Sequence, residues 1–397
     1  MRARSVWSGL ARGREEAYAL SSDNASLVTV EPVATGVAQV EELLAGAELD
    51  LRLGRLGLET CDRLRHVAGE AATPERVRVR AAVVLGLAAY AEGDAPEAIL
   101  RLTDAIAGPD ISCLTHPDVF SALGKAYMIL GAPERAAELF ECCLEEVAAA
   151  GPDASILRLR YATQLSYSLC ELGDPQRARA ALSDAFENTR STTDTYDLVR
   201  AHWALGNIAS LQTRASEAIR HYLAAIALLE QTEDTLHLAR AHVNCAEMML
   251  TQQKALQASP HLAAALTLYG ANPEPADLGV VRAQQARQAC LLGRPADTIA
   301  LAQEALDLFG LDYPQFQAAA LKALAHGFES LGQTASAEQA YRQASTILAE
   351  LHQAHALNET LRDWARLLNR QGRQEEAKTI LERTIADRHP TSAAHRP

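Results

Sequence analysis

A small residue returns about every forty positions along this chain, and this regularity limits what the chain can fold into. Eight such residues follow one another at intervals of 38 to 42: Gly86, Gly124, Ser166, Gly206, Ala246, Ala286, Ala325 and Ala365. A second series lies twelve residues after the first: Ala98, Ala136, Ala178, Ala218, Ala258, Thr298, Ala337 and Ala377. A third lies seven residues further on: Ala105, Cys143, Ala185, Ala225, Ala265, Ala305, Ala344 and Thr384. Small side chains let two helices approach closely. Three series in phase therefore predict one helical hairpin copied along the chain, the pattern of an all-α solenoid.

The residues between the first two series predict a tight turn inside each hairpin. In most copies a glycine lies seven residues after the first small residue: Gly93, Gly131, Gly173, Gly293, Gly332 and Gly372. Glycine just past a helix end accepts the left-handed conformation that closes the last turn. Pro133, Pro175 and Pro295 follow two residues later, where proline can begin a helix without losing a needed N–H group. Each copy is thus predicted to contain a helix A, a turn and a helix B.

The third copy carries the fullest motif. Its residues are Phe120, Leu123, Gly124 and Tyr127 in helix A, then Ala136 and Phe140 in helix B. This pattern resembles the tetratricopeptide repeat (TPR) signature. The resemblance covers residues 78–386 in eight copies, with a weaker ninth at 38–66, although a period near forty exceeds the usual 34. It implies a right-handed α-solenoid of eight to nine hairpins over residues 37–386, between a poorly structured segment, 1–36, and a disordered tail, 387–397.

Several segments carry a narrower resemblance. Residues 123–127, 133–136, 139–144 and 233–242 look like the sensor half of bacterial regulators that join an Xre/Cro-type helix-turn-helix domain to a long TPR array. Residues 33–37 look like the junction after that DNA-binding domain. In that family the array senses a partner or small ligand and controls the DNA-binding half. Five short helices do not fit into 36 residues, so we expect that domain to be missing and direct DNA binding to be absent.

Composition favours an interaction protein of the cytoplasm. With 37 Lys and Arg against 50 Asp and Glu, the net charge of −13 opposes non-specific contact with nucleic acid or anionic lipid. The seven cysteines are an odd number without CxxC spacing, which indicates reduced, structural thiols, although Cys142 and Cys143 leave a redox pair open. We expect no secretion signal and no membrane span.

The TPR resemblance implies that helix A lines the inner surface where a partner binds. With the first small residue taken as position 8, positions 2, 5, 9 and 13 share one helix face. Arginine occupies position 2 in four copies, Arg80, Arg160, Arg200 and Arg240, and the last three should stack as neighbouring rungs. The candidate partner-binding residues on this face are Arg160, Tyr167, Arg200, Trp203, Asn207, Arg240 and Arg287. Lys125, Thr163, Lys322, His326, Arg362 and Arg366 lie on the same face.

Arginine pairs two-pronged with carboxylates or phosphates, Asn207 suits a peptide backbone, and Trp203 offers an apolar anchor. Structural alternatives stay open. The arginines can pair with acids on the preceding repeat, Trp203 can pack between repeats, and the later cations, Lys322, Arg362 and Arg366, can form a solvated face. His202 and His242, at one repeat position, are interpreted as satisfied histidines between repeats rather than metal ligands.

Nucleotide-binding and hydrolase motifs are absent from the sequence, so we expect no enzyme, cofactor or metal site. The predicted function is a cytoplasmic TPR protein that binds a peptide or protein segment in its groove, as the sensor part of a bacterial transcriptional regulator. Acidic segments are candidate partners because the face carries arginines. Two alternatives remain: a complete DNA-binding regulator, supported only by the arginines of residues 1–16, and a self-assembling homo-oligomeric scaffold.

Overall fold

The computed structural model describes residues 37–386, except 71, 109, 152–153, 189–193, 271–272, 311–312 and 352. This part of the chain contains eighteen α-helices and no β-strand, so the predicted all-α class is confirmed. The segments 1–36 and 387–397, predicted to lack structure, lie outside the described residues. The chain divides into two compact units, Met1–Gln212 and Thr213–Pro397.

The eighteen helices alternate along the described chain, with odd-numbered helices as helix A and even-numbered helices as helix B. Each unit holds four complete hairpins, while the remaining helix A ends the first unit and the remaining helix B begins the second. The first unit holds α1 (Val37–Arg52), α2 (Leu58–Gly69), α3 (Glu75–Glu92), α4 (Ala95–Ile106), α5 (Pro117–Ile129), α6 (Pro133–Ala150), α7 (Ser155–Glu171), α8 (Pro175–Asn188) and α9 (Thr195–Leu211). The second unit holds α10 (Ala215–Leu229), α11 (Thr235–Thr251), α12 (Ala255–Tyr269), α13 (Pro275–Leu291), α14 (Pro295–Phe309), α15 (Pro314–Ser330), α16 (Thr334–Glu350), α17 (Ala354–Arg370) and α18 (Gln374–Ala386). The weak ninth copy is a complete hairpin, α1 and α2.

The helices contact one another in the order that a solenoid requires. Within each unit, helix A contacts the helix B that follows it, and successive A helices also contact each other: α1 with α3, α3 with α5, α5 with α7, α7 with α9, α11 with α13 and α13 with α15. Side chains at equivalent positions of neighbouring A helices are therefore brought close together. No helix in the described part of the chain is long and apolar enough to cross a membrane.

The three series of small residues lie where helices meet. Ala98, Ala136, Ala178 and Ala218 are fully buried, as are their equivalents Ala258, Thr298 and Ala337. A Cβ atom added to Gly124 would overlap the ring of Phe140, and one added to Gly86 would lie 2.5 Å from Leu102 Cδ2. Close packing of helix A on helix B therefore explains why the chain returns to a small residue in every copy.

The turn between the two helices has the same backbone in every repeat with this spacing. The six predicted glycines all have positive φ, from 68° at Gly293 to 83° at Gly93. In the two repeats without a glycine, Thr213 and Gln253 take φ of 57°, the left-handed region that non-glycine residues seldom occupy. The helix-ending geometry is thus imposed by the repeat even where the sequence does not favour it.

The cysteines act as core residues. All seven are free thiols, and Cys142 and Cys143 are buried. Burial, together with neighbouring glutamates, raises the pKa of Cys142 to about 11. A thiol held in this neutral form is a poor nucleophile, which favours packing over the redox interpretation of the vicinal pair.

Candidate ligand-binding site

Three successive A helices of the first unit bring positive side chains together. Lys125 lies on α5, Arg160 on α7 and Arg200 on α9. Surrounding protein partly desolvates the Lys125 ammonium and lowers its pKa, and the charges of Arg200 and Arg160 lower it further, against the weaker effect of Asp118. Lys125, Arg160 and Arg200 are called the cationic cluster from here on. Because these positive charges repel one another, binding of an anion between them would be favourable.

A buried carboxylate lies beside two members of the cluster. Asp197 is 2% exposed and accepts from Arg160 Nη2 at 3.2 Å and from Arg200 Nη1 at 3.4 Å. A second acid, Asp118, lies 3.6 Å from Arg160 but is itself 85% exposed. Arg160 is therefore held between two acids, whereas Arg200 is 61% exposed and only weakly paired. The cluster keeps positive charge that its own acids do not neutralise.

Several hydrogen-bonding groups around the cluster have no partner among the described residues. The Lys125 ammonium makes no hydrogen bond or ion pair there, and neither does the Tyr167 hydroxyl. Buried Nε of Arg160 and Oε1 of Gln164 are also unpartnered in this part of the chain. Burial raises the pKa of Tyr167 to about 12, with Arg200 opposing the shift, so its hydroxyl stays protonated and able to donate. Lys125, Arg160 and Tyr167 supply donors that suit a carboxylate or another anion, whereas Gln164 Oε1 is an acceptor.

Trp203 and Asn207 lie one and two turns beyond Arg200 on α9, and both are half-buried. The structure therefore places Arg160, Tyr167, Arg200, Trp203 and Asn207 on two neighbouring A helices, as predicted. Thr163, by contrast, is buried and donates its hydroxyl hydrogen to Leu159 O at 2.8 Å, which closes it to a ligand.

In the second unit, Arg240 differs from the other arginines of its series. Its Nε and Nη2 donate to Oδ1 and Oδ2 of Asp277 at 2.8 and 2.9 Å, and Tyr269 lies 3.4 Å from the same carboxylate. Arg287 donates to Thr251 Oγ1 at 3.1 Å. The expected pairing with acids on the preceding repeat holds for Arg80, which donates to Glu41 and Glu48 of α1, and for the Asp118 contact of Arg160. Asp277, like Asp197, belongs to the repeat that follows its arginine, because each acid lies at the start of the next A helix.

The later cations follow the solvated-face alternative only in part, because Arg362 and Arg366 are exposed but Lys322 is largely covered and paired with acids. Lys322 lies 3.2 Å from Glu359 and 3.3 Å from Asp363, and His326 Nε2 lies 3.5 Å from the same Asp363 carboxylate. Arg366 also pairs with Asp363. Interleaved acids on α17 neutralise this part of the A-helix face.

Of the two equivalent histidines, His202 follows the prediction of a contact between repeats and His242 does not. His202 lies edge-on to Phe186 of the previous repeat, with ring centroids 4.9 Å apart. The Nδ1 atoms of His242 and His261 lie 2.8 Å apart within one hairpin, so His242 is satisfied inside its own repeat rather than between repeats. Burial lowers the pKa of both His242 and His261.

Sequence reasoning missed the acids Asp197 and Asp277. A signal was available, because both stand nine residues before the first small residue of their repeat and 37 residues after an arginine. Only the packing of one A helix on the next makes that spacing an ion pair. Gln164, whose Nε2 donates to Ser121 Oγ at 2.9 Å, carried no recognisable pattern.

No protein-family model matches this chain, and no curated protein matches its sequence. Solved structures do resemble it. A tetratricopeptide repeat protein from Parabacteroides merdae ATCC 43184 is 14% identical, with a TM-score of 0.52 over 72% of this chain and 99% of that one. A Rap protein complexed with Competence and Sporulation Factor is 12% identical, with a TM-score of 0.52 over 94% and 98%. The apo form of the quorum sensor NprR from B. thuringiensis is 12% identical, with a TM-score of 0.50 over 98% and 100%.

At these identities the likeness concerns the fold. The chain has the helical-hairpin fold of TPR proteins, as the repeat motif predicted.

Proposed function

We propose that this protein is a peptide-binding TPR sensor whose ligand places an anionic group against the cationic cluster. The observation that carries the proposal is the set of unpartnered donors around Lys125, Arg160 and Arg200. An acidic side chain or a terminal carboxylate of a peptide would accept from the Lys125 ammonium, the Arg200 guanidinium and the Tyr167 hydroxyl. Hydrogen bonds to charged groups contribute about 1.5 to 3 kcal/mol each, enough for selective binding.

The fold supports a peptide rather than a small metabolite as the ligand. Within each unit, A helices that contact one another present a side chain from each repeat, which matches an extended or helical segment of chain. Trp203 and Asn207, beyond Arg200 on α9, supply an aromatic surface and an amide for neighbouring residues of the ligand. Two proteins with a similar fold support this context. One is a Rap protein complexed with Competence and Sporulation Factor, and the other is the quorum sensor NprR.

The proposed role is regulatory and intracellular. An anion held by Lys125, Arg160 and Arg200 would neutralise repulsion among three A helices and draw them together, which changes the angle between repeats. A sensor of a cytoplasmic bacterial transcriptional regulator would use this change to control a DNA-binding partner. The Xre/Cro-type segments of the sequence support this context, and the function is binding rather than catalysis.

Selection from a displayed library of random hexapeptides tests the proposal. Immobilised wild-type protein should enrich peptides with Asp or Glu, and replacing that acid by its amide should weaken binding at least tenfold. Lys125→Ala and Arg200→Ala should each weaken binding to a similar extent. Arg177→Ala is the matched control, because Arg177 is 58% exposed on helix B and pairs with Glu141. Enrichment without acidic residues, or equal binding by all variants, would refute the proposal.

A further inference from the structure

Three polar side chains on neighbouring A helices of the second unit have no partner among the described residues. Asn244 and Glu247 lie on α11, and Gln284 lies on α13. Gln284 is only 7% exposed, and its buried Oε1 accepts no hydrogen bond in this part of the chain. Asn244 and Glu247 are half-buried, and no described group bonds their side chains. The buried Gln284 Oε1 thus lacks a hydrogen bond that a donor from a ligand or a water molecule would supply.

The register of the repeat indicates that Glu247 and Gln284 occupy facing positions of two neighbouring A helices. Glu247 lies one residue after the small residue Ala246, and Gln284 lies two residues before Ala286. In a later pair of repeats the same two positions hold His326 and Asp363, whose Nε2 and Oδ2 atoms are 3.5 Å apart. Because α11 and α13 contact each other, the equivalent side chains lie across the same kind of junction. Asn244 is one helical turn before Glu247 on that face.

The charges around Glu247 do not satisfy its carboxylate. Arg287, on α13, is near enough to lower its pKa, yet burial has the larger effect and raises it. Arg287 forms no ion pair with Glu247 and donates instead to Thr251 Oγ1 at 3.1 Å. Arg240, one turn before Asn244, is occupied by Asp277. The site therefore holds a desolvated carboxylate and two amides that need hydrogen-bond donors and a positive charge.

We propose that Glu247, Asn244 and Gln284 form a subsite within the second unit for a basic side chain of a peptide ligand, an arginine or lysine. A guanidinium or ammonium group would donate to the Glu247 carboxylate and to Gln284 Oε1, and Asn244 would bond the ligand backbone beside it. This inference rests on the proposed function in one respect, namely that the ligand is a peptide. It differs from the anion site of the proposed function in its residues, in the unit of the protein where they lie and in the charge that the ligand must carry.

Methyl NMR provides a direct test, because the chain has only four methionines. Met248 and Met249 directly follow Glu247, whereas Met128 lies one turn after Lys125 in the first unit. Protein labelled with ¹³C at methionine methyls is titrated with acetyl-Ala-Arg-Ala-amide and with the uncharged acetyl-Ala-citrulline-Ala-amide. The arginine peptide should shift Met248 or Met249 saturably, and the citrulline peptide should need at least a tenfold higher concentration.

Glu247→Gln should abolish the preference for arginine, while Glu375→Gln, the same change at an exposed position of α18, should keep it. The unperturbed spectrum reports whether each variant is folded. Equal response to both peptides, an unchanged preference in Glu247→Gln, or no response of Met248 and Met249 in folded protein would each overturn the inference.

The same sample separates this inference from the proposed function. Acetyl-Ala-Glu-Ala-amide should shift Met128 through the cationic cluster, and Lys125→Ala should remove that shift. A Met128 response without a Met248 or Met249 response to the arginine peptide would refute the basic-residue subsite alone. The reverse result would refute the anion site and support the subsite.

Discussion

Arg240 and Asp277 form a two-pronged ion pair across consecutive repeats, with Nε–Oδ1 and Nη2–Oδ2 distances of 2.8 and 2.9 Å. Arg200 stands at the same repeat position but holds only a 3.4 Å contact with Asp197 on its own helix. The residue 37 positions after Arg200 is His237, whereas Asp277 stands 37 positions after Arg240. Two arginines in one series therefore differ: Arg240 joins repeats, and the guanidinium of Arg200 stays exposed.

Asp277→Asn should destabilise the protein by about 1 to 3 kcal/mol, because it removes the counter-charge of Arg240 at a position where the Asp277 side chain is only 12% exposed. Arg200→Ala should change the free energy of unfolding by less than about 0.5 kcal/mol, since its side chain is 61% exposed. Urea unfolding followed by circular dichroism measures both. Equal effects of the two substitutions would contradict the division of roles.

Lys125→Ala should leave stability unchanged or raise it by about 0.5 kcal/mol while it weakens binding of acidic peptides. The pKa of Lys125 is lowered in the folded state, so its protonated form opposes folding below that pKa, and the penalty fades as pH rises through it. Thermal unfolding near neutral pH, beside peptide binding on the same sample, checks this. A clear loss of stability would show that Lys125 is a structural residue instead.

Gln253→Gly should stabilise the turn between α11 and α12 by about 0.5 to 1 kcal/mol, because glycine adopts positive φ without strain. The reciprocal change, Gly293→Gln at the equivalent turn, should cost about 1 kcal/mol. A Cβ at Gly293 meets no atom within 4 Å, so backbone strain alone is measured there. Thermal unfolding of the two variants should show shifts of opposite sign, and shifts of the same sign would contradict this account.

The network around Asp363 should make stability depend on pH in the acid range. Burial raises the pKa of Asp363, but the hydrogen bond from His326 and the charges of Lys322, His326 and Arg366 outweigh it and lower the pKa to about 2. The carboxylate thus contributes stability that is complete above pH 4 and is lost as pH falls toward 2, about 2 kcal/mol in all.

Comparing wild type with Asp363→Asn across this range isolates the contribution of Asp363 to stability. The difference in free energy of unfolding should shrink steadily between pH 4 and pH 2. A difference that does not vary with pH would mean that Asp363 is not the group responsible.

Gly124→Ala should destabilise the protein by about 1 to 3 kcal/mol, because the added methyl group meets the ring of Phe140 in the core of the first unit. Introducing Phe140→Leu alongside it should reduce that cost, since the smaller side chain gives the methyl group room. A double-mutant cycle by urea unfolding gives the coupling free energy, expected to be at least about 0.5 kcal/mol. Additive effects would place the steric conflict elsewhere.

The sequence predicted the A-helix face well but not the state of each side chain on it. The positions of Arg160, Tyr167, Arg200, Trp203 and Asn207 follow from the repeat, because helical periodicity places equivalent residues on one face. The neutralisation of Arg240 by Asp277 and of Lys322 by Asp363 was not predicted. These pairs join residues 37 and 41 positions apart, and nothing local in the sequence shows that their side chains touch.

What the sequence by itself determined is the repeat: the helical hairpins, their glycine turns and their buried small residues follow from spacing, because each repeat packs chiefly on its neighbours. Tertiary structure decided which charges are open. The cationic cluster around Lys125 and the unpartnered Glu247 depend on distances of a few ångströms between separate helices. Charges interact strongly only at such short range and away from water, so a ligand site of this kind is fixed by packing rather than by residue type.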